Sequence, residues 1–203
     1  MHNVSTSHVH EMYLKRKFTT FVYSGVRKMA ASSSKEILNL KTFCIVTGAS
    51  RGIGRAIATS LSKKFSVGSV IVITGRTETA LNETKRLIEE VTANVGVRIV
   101  VADLGNQATF PDCLSAISKD VDPSDYQHGL LIHNAGEMWD ISRCSRQFTI
   151  SDLEDLQRYW MLTLTSTFLL SAKFLQVFSR RDSLRRSIVT ISSKATRMPF
   201  PCT

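Results

Sequence analysis

Three glycines fall within seven residues at Gly48, Gly52 and Gly54, directly after the apolar run Phe43–Thr47. Glycine serves where a chain turns sharply, where backbone must come close to a ligand, and where a helix must sit tightly on a strand. A helix beginning in such a turn offers unpaired N–H groups and a partial positive charge to an anion. The segment Gly48, Ala49, Ser50, Arg51, Gly52, Ile53 and Gly54 therefore reads as a cradle for the pyrophosphate of a dinucleotide. Its spacing is G-x3-G-x-G, not the commoner G-x-G-x-x-G. Its position between a strand pattern and a helix pattern sets it apart from an ordinary tight turn.

A second run, "SVIVIT" (Ser69–Thr74), ends two residues before Arg76, with Gly75 between, and Thr77 follows. The end of the second strand of such a unit meets the adenosine ribose, where a carboxylate would accept from a 2′-hydroxyl and a guanidinium would pair with a 2′-phosphate. Arg76 is at that place, and Arg51 lies in the glycine turn within reach of the same group. The alternative is two solvated surface arginines. Two arginines at the two places where a 2′-phosphate would sit favour NADP(H) over NAD(H).

These residues need a sheet and helices to hold them. From Leu40 onward apolar runs alternate with helical spacing: strands over Thr42–Thr47, Ser69–Thr74, Val97–Ala102, Gly129–His133 and Ser187–Ile191, and helices over Gly52–Lys64, Thr77–Ala93 and Asn106–Lys119. Ile150–Phe178 reads as one long helix or two in succession. Leu81, Leu87, Ile88 and Val91 are expected on the buried side of the second helix. This alternation predicts βαβ units: an α/β fold with a doubly wound parallel sheet of about five strands, of the Rossmann type.

The 203 residues are 43% hydrophobic, enough for a sizeable core, and no run is apolar for long enough to span a membrane. The net charge of +9 admits nucleic acid or an anionic surface as a partner. The basic residues are scattered and no groove-reading or base-stacking motif accompanies them, so a basic tail and a phosphate-bearing ligand account for the charge better; neither nucleic acid nor membrane is expected. Cys44, Cys113, Cys144 and Cys202 form no paired motif and fit reduced thiols in the cytosol. Residues 1–40 read as a basic extension separate from the NADP-binding unit at 41–203. A mitochondrial leader is the alternative. His8 and His10 could hold a metal, but nothing else in that tail supports one, and no metal site is expected.

"TGASRGIG" (Thr47–Gly54), "ADL" (Ala102–Leu104), "NAG" (Asn134–Gly136) and "ISS" (Ile191–Ser193) stand in the order and spacing of the short-chain dehydrogenase/reductase family, and the chain resembles that family over roughly residues 41–193. The resemblance implies hydride transfer from NADPH to a small-molecule carbonyl. In it Asp103 and Leu104 line the adenine, Asn134, Ala135 and Gly136 support the sheet centre beside the cofactor, Ser193 holds the substrate carbonyl and Ser192 adjoins it. It also implies a homo-oligomer. "FSVGSV" (Phe65–Val70), "YWMLTLTS" (Tyr159–Ser166) and "IVTISS" (Ile188–Ser193) resemble members that reduce a pterin side-chain ketone.

The family's proton donor is a tyrosine with a lysine four residues on, some thirteen residues after Ser193. The only such string here is Tyr13–Lys17, ahead of the first strand. Tyr159 has Thr163 at that offset and is no substitute. Thr163 aligns with an asparagine that holds a relay water in the family, and His133 with the first asparagine of the family's "NNAG". The expectations are therefore an NADPH-dependent carbonyl reductase, an inactive shortened form that binds NADP(H), or a chain that pairs with a full-length reductase through its long helix.

Overall fold

The computed structural model describes residues 39–137, 149–179 and 184–192. Five strands form one parallel sheet: β1 (Thr42–Val46), β2 (Ser69–Gly75), β3 (Val95–Val101), β4 (His128–His133) and β5 (Arg185–Thr190), in the order β3-β2-β1-β4-β5. The helices are α1 (Gly52–Ser62), α2 (Glu78–Val91), α3 (Phe110–Ser118), α4 (Leu153–Trp160) and α5 (Ser166–Val177). The expected doubly wound α/β architecture is the one observed. The chain runs outward from β1 to β3, then returns to place β4 on the other side of β1. That reversal puts the switch point between β1 and β4, the place where a doubly wound sheet opens a crevice for a ligand.

All five residues of β1 and all six of β4 are buried, because helices cover both faces of the central strands. Cys44, Val46, Ile71, Ile73, Leu130 and Ile132 face one layer, packed with Ala58 of α1 and Leu81 and Ile88 of α2. Phe43, Ile45, Val72, Val100 and Leu131 face the other, packed with Phe110 and Ile117 of α3 and Leu170 and Phe174 of α5. Phe43 and Phe178 lie 5.5 Å apart by ring centroid, and Phe174 and Phe178 lie 5.0 Å apart. Cys44 and Cys113 are buried free thiols whose pKa burial pushes up. Cys144 and Cys202 lie outside the described residues, as do residues 1–38 of the expected extension.

Differences from the sequence expectations have local causes. The third helix starts at Phe110, not Asn106, because side chains divert the backbone first: Asp103 Oδ1 accepts from Gly105 N–H at 2.9 Å and Asn106 Oδ1 from Ala108 N–H at 3.0 Å. Val91, expected to be buried, is 41% exposed at the end of α2, while Thr84 is fully buried. The Thr84 hydroxyl is satisfied by donating to Ala49 O at 2.9 Å, which is why a polar residue can occupy that face. The stretch 150–177 is continuous: a 3-10 turn (Ile150–Asp152), α4, a π-helical turn (Met161–Thr165) and α5 follow without a break. The β5 strand forms one edge of the described sheet, where exposed Arg185 and Arg186 oppose edge-to-edge pairing. No helix among the described residues is long and apolar enough to cross a membrane.

Two histidines are buried at opposite ends of β4. His128 Nε2 lies 3.0 Å from Ser187 Oγ and His133 Nε2 lies 2.8 Å from Ser171 Oγ. Burial pushes both imidazoles down to about 4, with the Arg185 charge adding to the effect at His128. Both are therefore neutral in the fold, whereas an unfolded histidine titrates near 6.5. The unfolded chain binds the extra protons, so stability is complete above pH 6.5 and falls as the pH drops toward 4. Each histidine contributes a slope of about 1.4 kcal/mol per pH unit inside that window. Urea unfolding at pH 7.5, 6 and 5 should show this decline, and His133→Asn should remove roughly half of the slope. A flat profile from 7.5 to 5 would mean that neither ring is held neutral.

Candidate functional site

At the C-terminal edge of the sheet, Thr47 and Asn134 join β1 to β4. The Thr47 hydroxyl accepts from the backbone N–H groups of Asn134 and Ala135, each at 3.0 Å, and donates to Ile132 O at 3.3 Å. The Asn134 amide returns two bonds, donating to Thr47 O and Gly48 O at 3.0 Å each. These bonds pin the glycine turn to the "NAG" loop at the bottom of the crevice.

The three glycines have distinct duties. Gly48 has φ +65°, and a Cβ there would lie 2.8 Å from Ala135 Cα, so it needs both the left-handed backbone and the close approach. Gly52 has φ +58° with open space around it. Gly54 has ordinary helical backbone, but a Cβ would lie 2.3 Å from Gly48 O and 2.4 Å from Asn134 Nδ2. The open space beside Gly52 leaves the start of α1 accessible. The N-cap is Arg51, which contributes no side-chain acceptor, and the first turn holds no acid. Among the described residues no side chain caps the opening N–H groups of α1, and they start at an exposed surface formed by Arg51, Gly52 and Ile53. This is the arrangement that takes an anion.

Other parts of the turn are used internally. The Ala49 N–H donates to Thr74 O at 2.9 Å, and Ala49 itself is fully buried. Ser50 O accepts from Arg55 Nη2, while Arg55 also donates to Thr84 Oγ1 at 3.0 Å and Ala80 O at 3.2 Å. Arg55 is thus a strut from α1 through the turn to α2. The geometry predicts unequal costs for two glycine substitutions. Gly52→Ala should lose about 1–2 kcal/mol, the cost of the left-handed backbone. Gly54→Ala should lose about 3 kcal/mol or more, because its Cβ must displace the Asn134 clasp. Equal losses in urea melts would contradict these roles.

Around the crevice mouth, four charges from four segments connect. Arg158 of α4 donates to Asp103, Nη1 to Oδ2 at 2.8 Å and Nη2 to Oδ1 at 3.3 Å. Burial would raise the Asp103 carboxyl, but Arg158 and the Gly105 N–H outweigh it and hold the group below the usual carboxylate range. Glu137 Oε2 lies 3.6 Å from Arg158 Nη2 and 3.5 Å from Arg76 Nη1. Arg76 and Thr77 are exposed just past β2, as is Arg51 at the α1 cap. Leu104 is 4% exposed and its side chain belongs to the core. Gly136 is exposed, and Asn134 and Ala135 are half-buried.

Ser192 is exposed just beyond β5, and Ser193 lies outside the described residues. The Thr163 hydroxyl donates to Tyr159 O at 2.7 Å within the π-helical turn, and His133 is committed to Ser171. Sequence reasoning assigned no role to Thr47, Arg55, Glu137 or Arg158. The first two lie inside or beside the glycine motif and were legible as part of it. Glu137 and Arg158 become neighbours only through the fold.

The sequence profile of the short chain dehydrogenase family matches residues 42–203. The sepiapterin reductase of Rattus norvegicus is 38% identical over 159 residues, 77% of this chain and 59% of that protein. The chain thus spans somewhat more than half the length of such curated relatives. Among solved structures, a bulky-bulky ketone specific alcohol dehydrogenase from Comamonas testosteroni superposes with a TM-score of 0.61 at 27% identity, covering 79% of this chain and 58% of the other. A metagenomic short-chain oxidoreductase in complex with NADP superposes with a TM-score of 0.62 at 26% identity, covering 80% and 66%. With a parallel sheet reversing at β1 and β4, a glycine turn clasped at that point and this match over most of its length, the chain belongs to the short-chain dehydrogenase family of oxidoreductases.

Proposed function

We propose that this chain binds NADP(H) in the crevice above β1 and β4 and serves a carbonyl reductase acting on a pterin side-chain ketone. The observation that carries the cofactor reading is the uncapped, acid-free start of α1 over a glycine turn, with Arg51 and Arg76 at its margins. The α1 N–H groups and the glycine backbone would hold the pyrophosphate, and Arg76 with Arg51 the 2′-phosphate; Thr77 adjoins them. Asp103 and the backbone at Leu104 would border the adenine. Asn134, Ala135 and Gly136 would support the floor. The hydride would come from the nicotinamide ring of the bound coenzyme. Ser193, with Ser192 beside it, would position the carbonyl oxygen.

The substrate class rests on the likeness to sepiapterin reductase, and the cytosol as location on that likeness and on the buried free thiols. In these 203 residues a Tyr-x-x-x-Lys string occurs only at Tyr13–Lys17. A second reading, binding without turnover in partnership with another reductase subunit, is favoured by one surface: Trp160 is 62%, Leu164 65% and Phe168 72% exposed along the α4–α5 helix. Apolar side chains at that spacing form a stripe suited to a second copy of the same helix.

Calorimetry should give a lower Kd for NADPH than for NADH. Arg76→Ala should weaken NADPH about 10- to 100-fold, as for loss of a charge-assisted hydrogen bond, and leave NADH nearly unchanged. Equal affinity of the unaltered chain for the two would reject the 2′-phosphate assignment. The 203-residue chain is expected to bind NADPH in this assay. Sedimentation should show association that Phe168→Glu abolishes, and a monomer at all concentrations would remove the helix surface from the reading.

A further inference from the structure

The Arg76–Glu137 pair lies in an unusual place. Arg76 follows β2 and Glu137 follows β4, and β1 stands between those strands in the sheet. Two strand spacings of about 4.8 Å separate the strands that carry them. The pair therefore reaches over the end of β1, above the Thr47–Gly48 turn, and spans the mouth of the crevice. Its side chains are half exposed, 53% for Arg76 and 47% for Glu137.

The Glu137 carboxylate is held from behind. Its Oε2, the atom nearest Arg76, also lies 3.6 Å from Arg158 Nη2. Arg158 is itself fixed by two hydrogen bonds to Asp103 and by packing over Gly105, where a Cβ would lie 3.0 Å from Nη1. Glu137 is the one carboxylate within ion-pairing distance of Arg76 among the described residues. One guanidinium thus faces two candidate acceptors: a carboxylate already at 3.5 Å and, on the reading above, the 2′-phosphate of the coenzyme.

We infer that Glu137 sets coenzyme selectivity by competing with the 2′-phosphate for Arg76. The inference rests on the adenosine end lying beside Arg76. A 2′-phosphate must draw Arg76 away from Glu137, and the carboxylate left behind repels the incoming dianion. A 2′-hydroxyl carries no charge and requires no such exchange. Glu137 therefore narrows the preference for the phosphorylated coenzyme that Arg76 creates. Because the pair is half exposed and screened by water, the effect is several-fold, not several orders of magnitude.

The test compares adenosine 2′,5′-bisphosphate with adenosine 5′-monophosphate by calorimetry, since these probes differ only in the 2′-phosphate and need no turnover. Glu137→Gln keeps the side-chain size at an exposed position. It should tighten the bisphosphate about three- to tenfold and leave the monophosphate within about twofold. In an Arg76→Ala background the same change should give less than half that gain in logarithmic terms, because the competed partner is gone. An unchanged ratio, a weakened bisphosphate, or an equal gain without Arg76 would overturn the inference while leaving the site intact. Failure of the unaltered chain to bind either probe would overturn the site as well.

Discussion

The bonds between Thr47 and Asn134 are what the rest of the site depends on. One hydroxyl takes two backbone N–H groups from the loop after β4, and one side-chain amide gives two bonds back to the turn after β1. In a doubly wound sheet the loops at the switch point part in opposite directions, and nothing in sheet pairing alone holds them at a fixed separation. Here four hydrogen bonds fix it. The absent side chain at Gly54 is part of the same arrangement, since the space a Cβ would take is filled by Gly48 O and Asn134 Nδ2. The glycine thus acts as much through what it admits as through its freedom of backbone.

Above that floor, the site is organised by charge. The start of α1 contributes partial positive charge without a compensating acid. Arg51 and Arg76 add formal charges at the margins. Two carboxylates temper them: Asp103, neutralised by the bidentate Arg158, and Glu137, shared between Arg158 and Arg76. The paired acids keep the rim from being uniformly basic, which bears on which anions enter and how strongly. Arg55 is as basic as its neighbours but is bound to Ser50 O, Thr84 and Ala80 O, so it braces the turn and does not face the crevice.

The long α4–α5 helix links this rim to the core. Arg158 reaches the rim from α4, and Leu170 and Phe174 of α5 pack against Phe43 and Leu131 of the sheet. The π-helical turn at Met161–Thr165 lies between the two. Met161 and Leu162 are buried, while Trp160, Leu164 and Phe168, spaced four apart, face outward along one side of the helix. A single helix therefore carries a rim cation, a core face and an exposed apolar stripe.

Much was legible in the chain itself. Continuous β-branched runs announced strands buried on both faces, and glycines between a strand and a helix announced the turn, because these signals arise within a few residues and need no partner from afar. Helix ends were less legible: Asp103 and Asn106 diverted the backbone ahead of Phe110, Val91 ends its helix exposed, and Thr84 is buried because it finds an acceptor on another segment. The sequence by itself determined the α/β alternation, the glycine turn and the arginine after β2. Only the tertiary structure decided that Thr47 would clasp Asn134, that Arg158 would neutralise Asp103 and that Glu137 would hold Arg76. Those partners stand 55 to 87 positions apart, and the order β3-β2-β1-β4-β5, with every strand parallel so that all end on one side, is what brings them to one edge.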